Sequence, residues 1–164
     1  MRHRVAATWI SGLRPALRTS KTCPVAAEHS DSAAVIAALA EATNAHDIDA
    51  FVALFAEDYD SQQPGHPDRA FHGRDQVRAN WSEVFASVPD FRADLVATAV
   101  EGDCVWSEWR WRGTHADGSR LEMAGVIIFG VRAERIAWAR LYVEPVEQNG
   151  GGIEAAVRDM SGRR

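Results

Sequence analysis

Four small groups of residues have the types and spacing to do chemistry. His115 closes a Gly113-Thr114-His115 run just before the turn residues Ala116-Asp117-Gly118-Ser119, with Asp117 and Glu122 nearby in sequence. An imidazole close to a carboxylate is the usual equipment for moving a proton near neutral pH. The same position equally suits an exposed turn histidine with no chemical role. His66 and His72 flank a loop that also carries Asp60 and Asp68, a donor set a metal ion could use. Their spacing is irregular and the Pro64-Gly65-His66-Pro67 loop is at home on a surface, so no metal is assigned. Tyr59, Ser61 and Gln63 alternate, so an extended stretch would point all three to one side. Trp81, Phe85, Trp109 and Trp111 are aromatic bulk that either packs a core or floors a ligand pocket.

The surrounding chain has 164 residues, 46% of them hydrophobic and 25% charged, the balance of an ordinary globular domain. Its charge is unevenly spread. Arg2, Arg4, Arg14, Arg18 and Lys21 against Glu28 give residues 1–30 a net +4, so an overall −5 leaves −9 on the other 134 residues. An acidic body argues against a nucleic-acid partner, because neutralising phosphates takes clustered cations. No apolar run approaches the ~18–20 residues that a membrane span needs, so no membrane partner is expected. Cys23 and Cys104 are too few and too far apart for a disulfide framework or a metal knuckle, which points to a reduced, cytoplasmic setting. The basic stretch 1–30 reads as a disordered tail. Its Arg-rich, acid-poor composition also fits an organellar transit peptide, and both readings stay open. Nothing in the motifs calls for a cofactor.

These groups need elements to position them. Ser30-Asp31-Ser32 can cap a first helix with Val35, Ile36, Leu39 and Thr43 on one face. Asp47 can cap a second, with Ile48, Phe51, Val52 and Phe55 at i, i+3, i+4 and i+7. Gly73 precedes a third with Val77, Trp81, Val84, Phe85 and Val88, stopped by Pro89. From Phe91 the period changes to two. Strands are expected over 91–100, 105–115, 120–131 and 136–146, separated by turns at Glu101-Gly102-Asp103, Asp117-Gly118 and 132–135. A Gly150-Gly151-Gly152 link and a short amphipathic helix follow in 148–164. Helices first and an antiparallel meander after is an α+β pattern, with the helices covering one face of the sheet.

Two-residue turns at Asp117-Gly118 and Ala133-Glu134 would set the register. They pair Trp109 with Val126, Trp111 with Ala124, Ile128 with Ala139 and Val126 with Leu141. Directly opposed side chains share a face. One face then holds Ser107, Trp109, Trp111, Val126, Ile128, Ala139, Leu141 and Val143 and should lie under the helices as a pocket wall. The other holds Trp106, Glu108, Arg110, Arg112, Ile127, Phe129, Trp138, Arg140, Tyr142 and Glu144. That mixture suits a homodimer surface, with Glu144 or Glu108 reaching Arg110 or Arg140. One extra residue in either hairpin would swap faces.

The helix hairpin with Asn44-Ala45-His46-Asp47-Ile48-Asp49, the following Ala53-Leu54-Phe55-Ala56-Glu57-Asp58, and Gly73-Arg74-Asp75-Gln76-Val77 resemble the opening of the NTF2-like superfamily. Trp109-Arg110-Trp111-Arg112-Gly113-Thr114-His115 and Arg135-Ile136-Ala137-Trp138 resemble its SnoaL-like, polyketide cyclase-like branch. The resemblance covers about residues 31–147. It implies a cone of three N-terminal helices packed on a strongly curved antiparallel sheet, often dimeric, with a small hydrophobic molecule as ligand. It does not fix the chemistry, since this cone carries isomerases, cyclases, hydrolases, dehydratases and binding proteins.

Carried over residue by residue, the resemblance leaves most catalytic roles vacant. The general base of ketosteroid isomerase falls on Gln63, its oxyanion-hole tyrosine on Leu39 and its oxyanion-hole aspartic acid on Val126 or Ile127. The acid of the last strand of limonene-epoxide hydrolase falls on Leu141. Only the Gly-Thr-His histidine of the polyketide-cyclase branch has its counterpart, in His115. Two readings follow. One is a cone protein that binds a small hydrophobic molecule against Tyr59, Gln63, Trp81, Phe85, Trp109, Trp111, Val126 and Leu141, with His115 as catalytic acid/base for a cyclase- or isomerase-type proton transfer. The other is a dimeric ligand-binding or accessory module with no chemistry.

Overall fold

The structure, a computed structural model, describes residues 32–162. The basic stretch 1–30 and the Ser30-Asp31 part of the expected helix cap lie outside them. Three helices and five strands alternate as α1 (Ser32–Ala45), α2 (Ile48–Ala53), β1 (Phe55–Gln62), β2 (Phe71–His72), α3 (Arg74–Ser87), β3 (Arg92–Glu101), β4 (Cys104–Thr114) and β5 (Arg120–Arg132). The last strand, β6 (Arg135–Pro145), and α4 (Gly152–Met160) complete the order. The six strands form one sheet in the order β2-β1-β6-β5-β4-β3. Only the β1–β6 pair is parallel, so the sheet is mixed rather than wholly antiparallel as expected. Phe55 opens β1 and is not the last apolar position of α2, which ends at Ala53. A single turn of helix has too little length for its period to outweigh strand pairing.

The Asn44–Asp47 segment fixes the helices to the sheet. Asn44 uses its side-chain amide like a strand neighbour, donating to the Ala93 carbonyl and accepting from the Ala93 N–H, both at 2.9 Å. His46 takes a left-handed φ of 54°, stacks on Phe85 at 4.7 Å and bonds the Phe91 carbonyl through Nε2 at 2.9 Å. Asp47 caps α2 by accepting from Ala50 N–H at 2.9 Å. This quartet explains physically why an Asn-Ala-His-Asp run marks the hairpin. α1 packs on β3 and β4, and α2 and α3 pack on each other and on β1. The core between them includes Ile36, Phe51, Val77, Phe91, Val105, Trp109 and Ile136, each at most 2% exposed.

The strand register departs from the expected one in two places. The β4–β5 hairpin closes with a three-residue loop, since His115 N–H donates to the Ser119 carbonyl and Gly118 N–H to the His115 carbonyl, both at 2.9 Å. Gly118 sits at φ +83°, the left-handed third position such a loop requires. Asp117 supports it by accepting from Ser119 N–H and Oγ. The odd loop slides β5 by one residue, so Trp109 faces Gly125, Trp111 faces Met123 and Ser107 faces Ile127.

The Ala133-Glu134 turn is the expected two-residue one, with both residues at positive φ. A bulge then inserts Ala137 between the Val131–Ile136 and Gly130–Trp138 pairs. Gly130 permits it, because a Cβ there would lie 2.0 Å from the Trp138 indole nitrogen. The two single-residue shifts add to two between β4 and β6, which preserves parity. Trp109, Trp111, Ala139, Leu141 and Val143 therefore share a face as expected, while Ile127 and Phe129 replace Val126 and Ile128 on it. A further bulge at Val96 turns Ala97 and Ala99 outward opposite Glu108 and Trp106.

Cys104 opens β4, 1% exposed and disulfide-bonded, a bond that the reading of the two cysteines did not assign. Cys23 lies outside the described residues.

The Asn44 clamp yields a stability prediction. Asn44→Ala leaves the N–H and carbonyl of Ala93 without their partner and should destabilise the fold by about 2–3 kcal/mol. Asn44→Asp keeps the acceptor and loses the donor, and should cost about half as much. Urea denaturation of the three proteins checks the ranking, and equal stability of wild type and Asn44→Ala would remove the clamp from the account.

Candidate functional site

The helices and the concave face of the sheet bound a cavity of about 200 Å³ that opens to solvent. Its apolar lining comes from every layer: Leu39 of α1, Phe51 of α2, Val77 and Trp81 of α3, and Trp111, Ile127 and Leu141 of β4, β5 and β6. Four polar side chains join them, Tyr59, Ser61, Gln63 and Asn80. The alternation of Tyr59, Ser61 and Gln63 thus does put all three on the cavity side. No carboxylate, imidazole, ammonium or guanidinium lines this space.

Tyr59 is the most constrained of the four. It is 4% exposed, with its ring edge-on to Phe55 at 4.9 Å and beside Phe71 at 5.9 Å. Burial drives its phenol well above the ordinary tyrosine range, and the neighbouring Asp60 charge acts the same way. A hydrogen bond with Ser61 opposes this and does not prevail. Tyr59 is therefore a neutral hydroxyl at any physiological pH. Ser61 can serve as the donor in their bond, which leaves the Tyr59 proton for a ligand oxygen. Asn80 accepts from Gln76 at 2.8 Å, so its NH2 side is what it has to offer, and the Gln63 oxygen meets Arg69 at 3.5 Å.

A second compartment of about 220 Å³ adjoins the first. Its walls are Val88, Phe91, Leu121 and Met123, with Glu83, Ser87 and His115 at the edge. Trp81, Val84 and Trp111 line both spaces, so they form the partition between them. The end of this compartment is pinned by Asp90, which accepts from Thr114 N–H at 2.6 Å. That bond holds the Asp90 carboxyl below its usual range. Gly113 allows the close approach, since a Cβ there would meet Val88 Cγ1 at 2.3 Å.

The expected site residues divide accordingly. Tyr59, Gln63, Trp81, Trp111 and Leu141 line the inner cavity. Trp109 is 2% exposed and lies beneath it, its indole N–H donating to Ser107 Oγ at 2.7 Å and Ser107 Oγ to the Ile127 carbonyl at 2.8 Å. Phe85 packs between His46 and Trp81 and is not part of the lining. Val126 falls on the outer face, opposite Glu108 and Tyr142, because of the shifted β5 register. His115 stands at the second compartment, across the indole partition from Tyr59. Neither acidic neighbour in sequence engages its ring in a hydrogen bond: Asp117 is committed to Ser119, and Glu122 to Gln148.

The His66, His72, Asp60 and Asp68 group does not converge. His72 Nδ1 meets Asp60 at 2.8 Å and His66 Nε2 meets Glu144 at 3.0 Å. Glu144 is thus engaged by a loop histidine rather than by Arg110 or Arg140. Among the described residues no cluster of three metal-ligating side chains occurs.

Asn80 and Ser61 are the polar lining residues that sequence reasoning did not single out as ligand contacts. Asn80 sits on a helix one residue before Trp81, and its exposed position gave no periodic signal. Leu39, Gln63 and Ile127 do meet at one cavity, as the ketosteroid isomerase comparison implies for those positions, and Leu141 joins them. All four lack an ionisable group, so the proton-transfer roles of those relatives are absent from this space.

A profile of the SnoaL-like domain matches residues 36–139. The chain is similar to crystal structures of wild-type IdmH from Streptomyces antibioticus, a proposed polyketide cyclase, at 25% identity and a TM-score of 0.62, covering 70% of this chain and 93% of that one. An IdmH variant truncated in its 96–104 loop gives 27% identity and a TM-score of 0.61 over the same shares. RV0760c from Mycobacterium tuberculosis, crystallised with estradiol-17beta-hemisuccinate, shares the fold at 19% identity and a TM-score of 0.61, over 70% of this chain and 94% of that one. A comparison with curated proteins found no match. With the profile spanning most of the described cone and these solved structures sharing its architecture, the chain belongs to the SnoaL-like domain family of the NTF2-like superfamily.

Proposed function

We propose that the protein binds a small apolar molecule bearing a carbonyl or hydroxyl oxygen, held in the inner cavity with the oxygen at Tyr59. The observation that carries this reading is the lining itself: an apolar wall with a few neutral hydrogen-bonding groups gathered on one side. Tyr59, kept protonated by burial, is the natural donor, and Gln63 and Asn80 flank it as further contacts. Similarity to IdmH, a proposed polyketide cyclase, supports a small-molecule site in the same cone.

A second reading adds chemistry. His115 at the apolar second compartment could act as acid or base for a cyclase- or isomerase-type proton transfer. The binding reading needs nothing beyond the inner cavity and is preferred. The outer sheet face supports a homodimer as part of the proposal. It presents Trp106 at 48% and Tyr142 at 44% exposure among Arg110, Arg112 and Glu108, a composition favoured at isologous interfaces.

Three measurements test these statements. In a thermal-shift screen of small phenols and aryl ketones, a ligand specific to the native state raises the melting temperature. Tyr59→Phe should then weaken binding about 3- to 10-fold, the worth of one hydrogen bond of ~0.5–1.5 kcal/mol. His115→Ala should leave binding unchanged. A ligand that binds both variants as it binds wild type would move the site away from Tyr59.

In an alkaline absorbance titration, the difference between wild type and Tyr59→Phe should show no phenolate at pH 10, where a water-exposed phenol is half ionised. The sign for stability follows. Only the unfolded chain releases this proton near pH 10, so the folded state loses stability as pH rises beyond that point. For the dimer, Trp106→Glu should shift the sedimentation coefficient from dimer to monomer. An unchanged value in a folded variant would exclude this face as the interface.

A further inference from the structure

The two compartments differ in chemistry and are divided by side chains rather than by backbone. The inner space has Tyr59, Ser61, Gln63 and Asn80, whereas the second is walled almost wholly by apolar groups. Trp81, Val84 and Trp111 face both.

Trp81 is the keystone of this partition. Its ring is 4.6 Å from Phe51, 5.6 Å from Phe85, 5.6 Å from Phe91 and 5.7 Å, edge-on, from Trp111. Contact with four aromatic rings on α2, α3, the loop before β3 and β4 leaves the indole few alternative rotamers. The wall is therefore a fixed part of the folded cone.

Its position sets a size. A cavity of about 150 Å³ holds one benzene ring. The inner compartment, at about 200 Å³, has room for one ring with substituents or two small fused rings. Ligand pockets for larger molecules run from about 300 Å³ upward. Neither compartment reaches that alone, and the two joined would exceed it.

We infer that Trp81, braced by Trp111, is the specificity-determining residue of the site, and that it restricts the ligand to a one- or two-ring molecule with an oxygen substituent. This rests on the binding reading above and narrows it. A fused four-ring molecule lying across the partition would have to occupy the space of the Trp81 indole. Removing that indole joins the polar inner end to the apolar second space and creates a site for a long, flat ligand with one polar end.

The test uses two probes of known ring count, 2-naphthol with two rings and estradiol with four. Their affinities are measured by titration calorimetry on the full-length wild type, Trp81→Ala and Val84→Ala. The last is a milder opening of the same wall, included in case loss of the indole unfolds the chain. Wild type should bind 2-naphthol and bind estradiol at least ten-fold more weakly. Opening the wall should tighten estradiol binding at least ten-fold in Trp81→Ala and several-fold in Val84→Ala, while 2-naphthol binding weakens. Wild type that binds estradiol as well as 2-naphthol overturns the size limit, as does unchanged estradiol affinity in both folded variants. Wild type that binds neither probe overturns the binding reading itself, a result distinct from failure of the partition.

Discussion

A single carboxamide pins the helix layer to the edge of the sheet. Asn44 sits at the end of α1 and Ala93 near the start of β3, 49 residues apart, yet they meet through a donor and an acceptor on each side. A helix end normally leaves polar groups to water. Here a side chain from the last turn completes the backbone pairing of the neighbouring strand, while the α1 carbonyls of Ala42, Thr43 and Asn44 accept from Asp47 N–H, His46 N–H and Arg92. His46 and Asp47 extend the arrangement, one bonding the strand and the other starting the next helix. The angle at which α2 leaves α1 follows from these contacts, and so does the place of Phe51 against Trp81.

The charges of the protein are spent elsewhere. Arg132 bonds Asp58, Arg78 bonds Asp49, Arg112 bonds Asp94, His72 of β2 takes Asp60 and the loop residue His66 takes Glu144. Most of these pairs lie near the surface, where each is worth little to stability. Their arrangement has an indirect effect on the interior. With the acids and bases engaged on the rim and outer face, the concave side is left to neutral groups. The low dielectric of that space makes each neutral hydrogen bond stronger and each unmet one more costly, which favours a ligand that supplies the right oxygen.

Much of the architecture was legible in the chain. The 3.6-residue periods of α1 and α3, the change to a period of two at Phe91 and the turn residues all sit where the elements sit. The inward set Tyr59, Gln63, Trp81, Trp111 and Leu141 was legible as well, because strand alternation and helical spacing act locally. What was not legible depended on counting residues around a turn. Gly118 takes the third place of a loop, and a sequence reading gives it the second of two. Gly130 makes space for Trp138, a contact between residues eight apart that no local propensity encodes. Val126 left the cavity for the first reason. Leu141 stayed because the second offset the first. Trp109 and Phe85 illustrate a different limit: hydrophobic periodicity identifies the side that is buried, and it does not separate a side chain that lines a space from one that lies behind it.

The offsetting shifts have a consequence for how this sheet tolerates insertions and deletions. Side-chain direction in a strand is a matter of parity, and the loop after β4 and the bulge at Ala137 are two odd steps whose sum is even. A relative that gained or lost one residue in the Ala116-Asp117-Gly118 loop would invert β5 and, with it, β6, and loss of the bulge at the same time would restore β6 alone. Changes by two residues carry no such penalty. Lineages of this cone should therefore vary the hairpin in steps of two, and an engineer who reshapes that loop must keep its count odd.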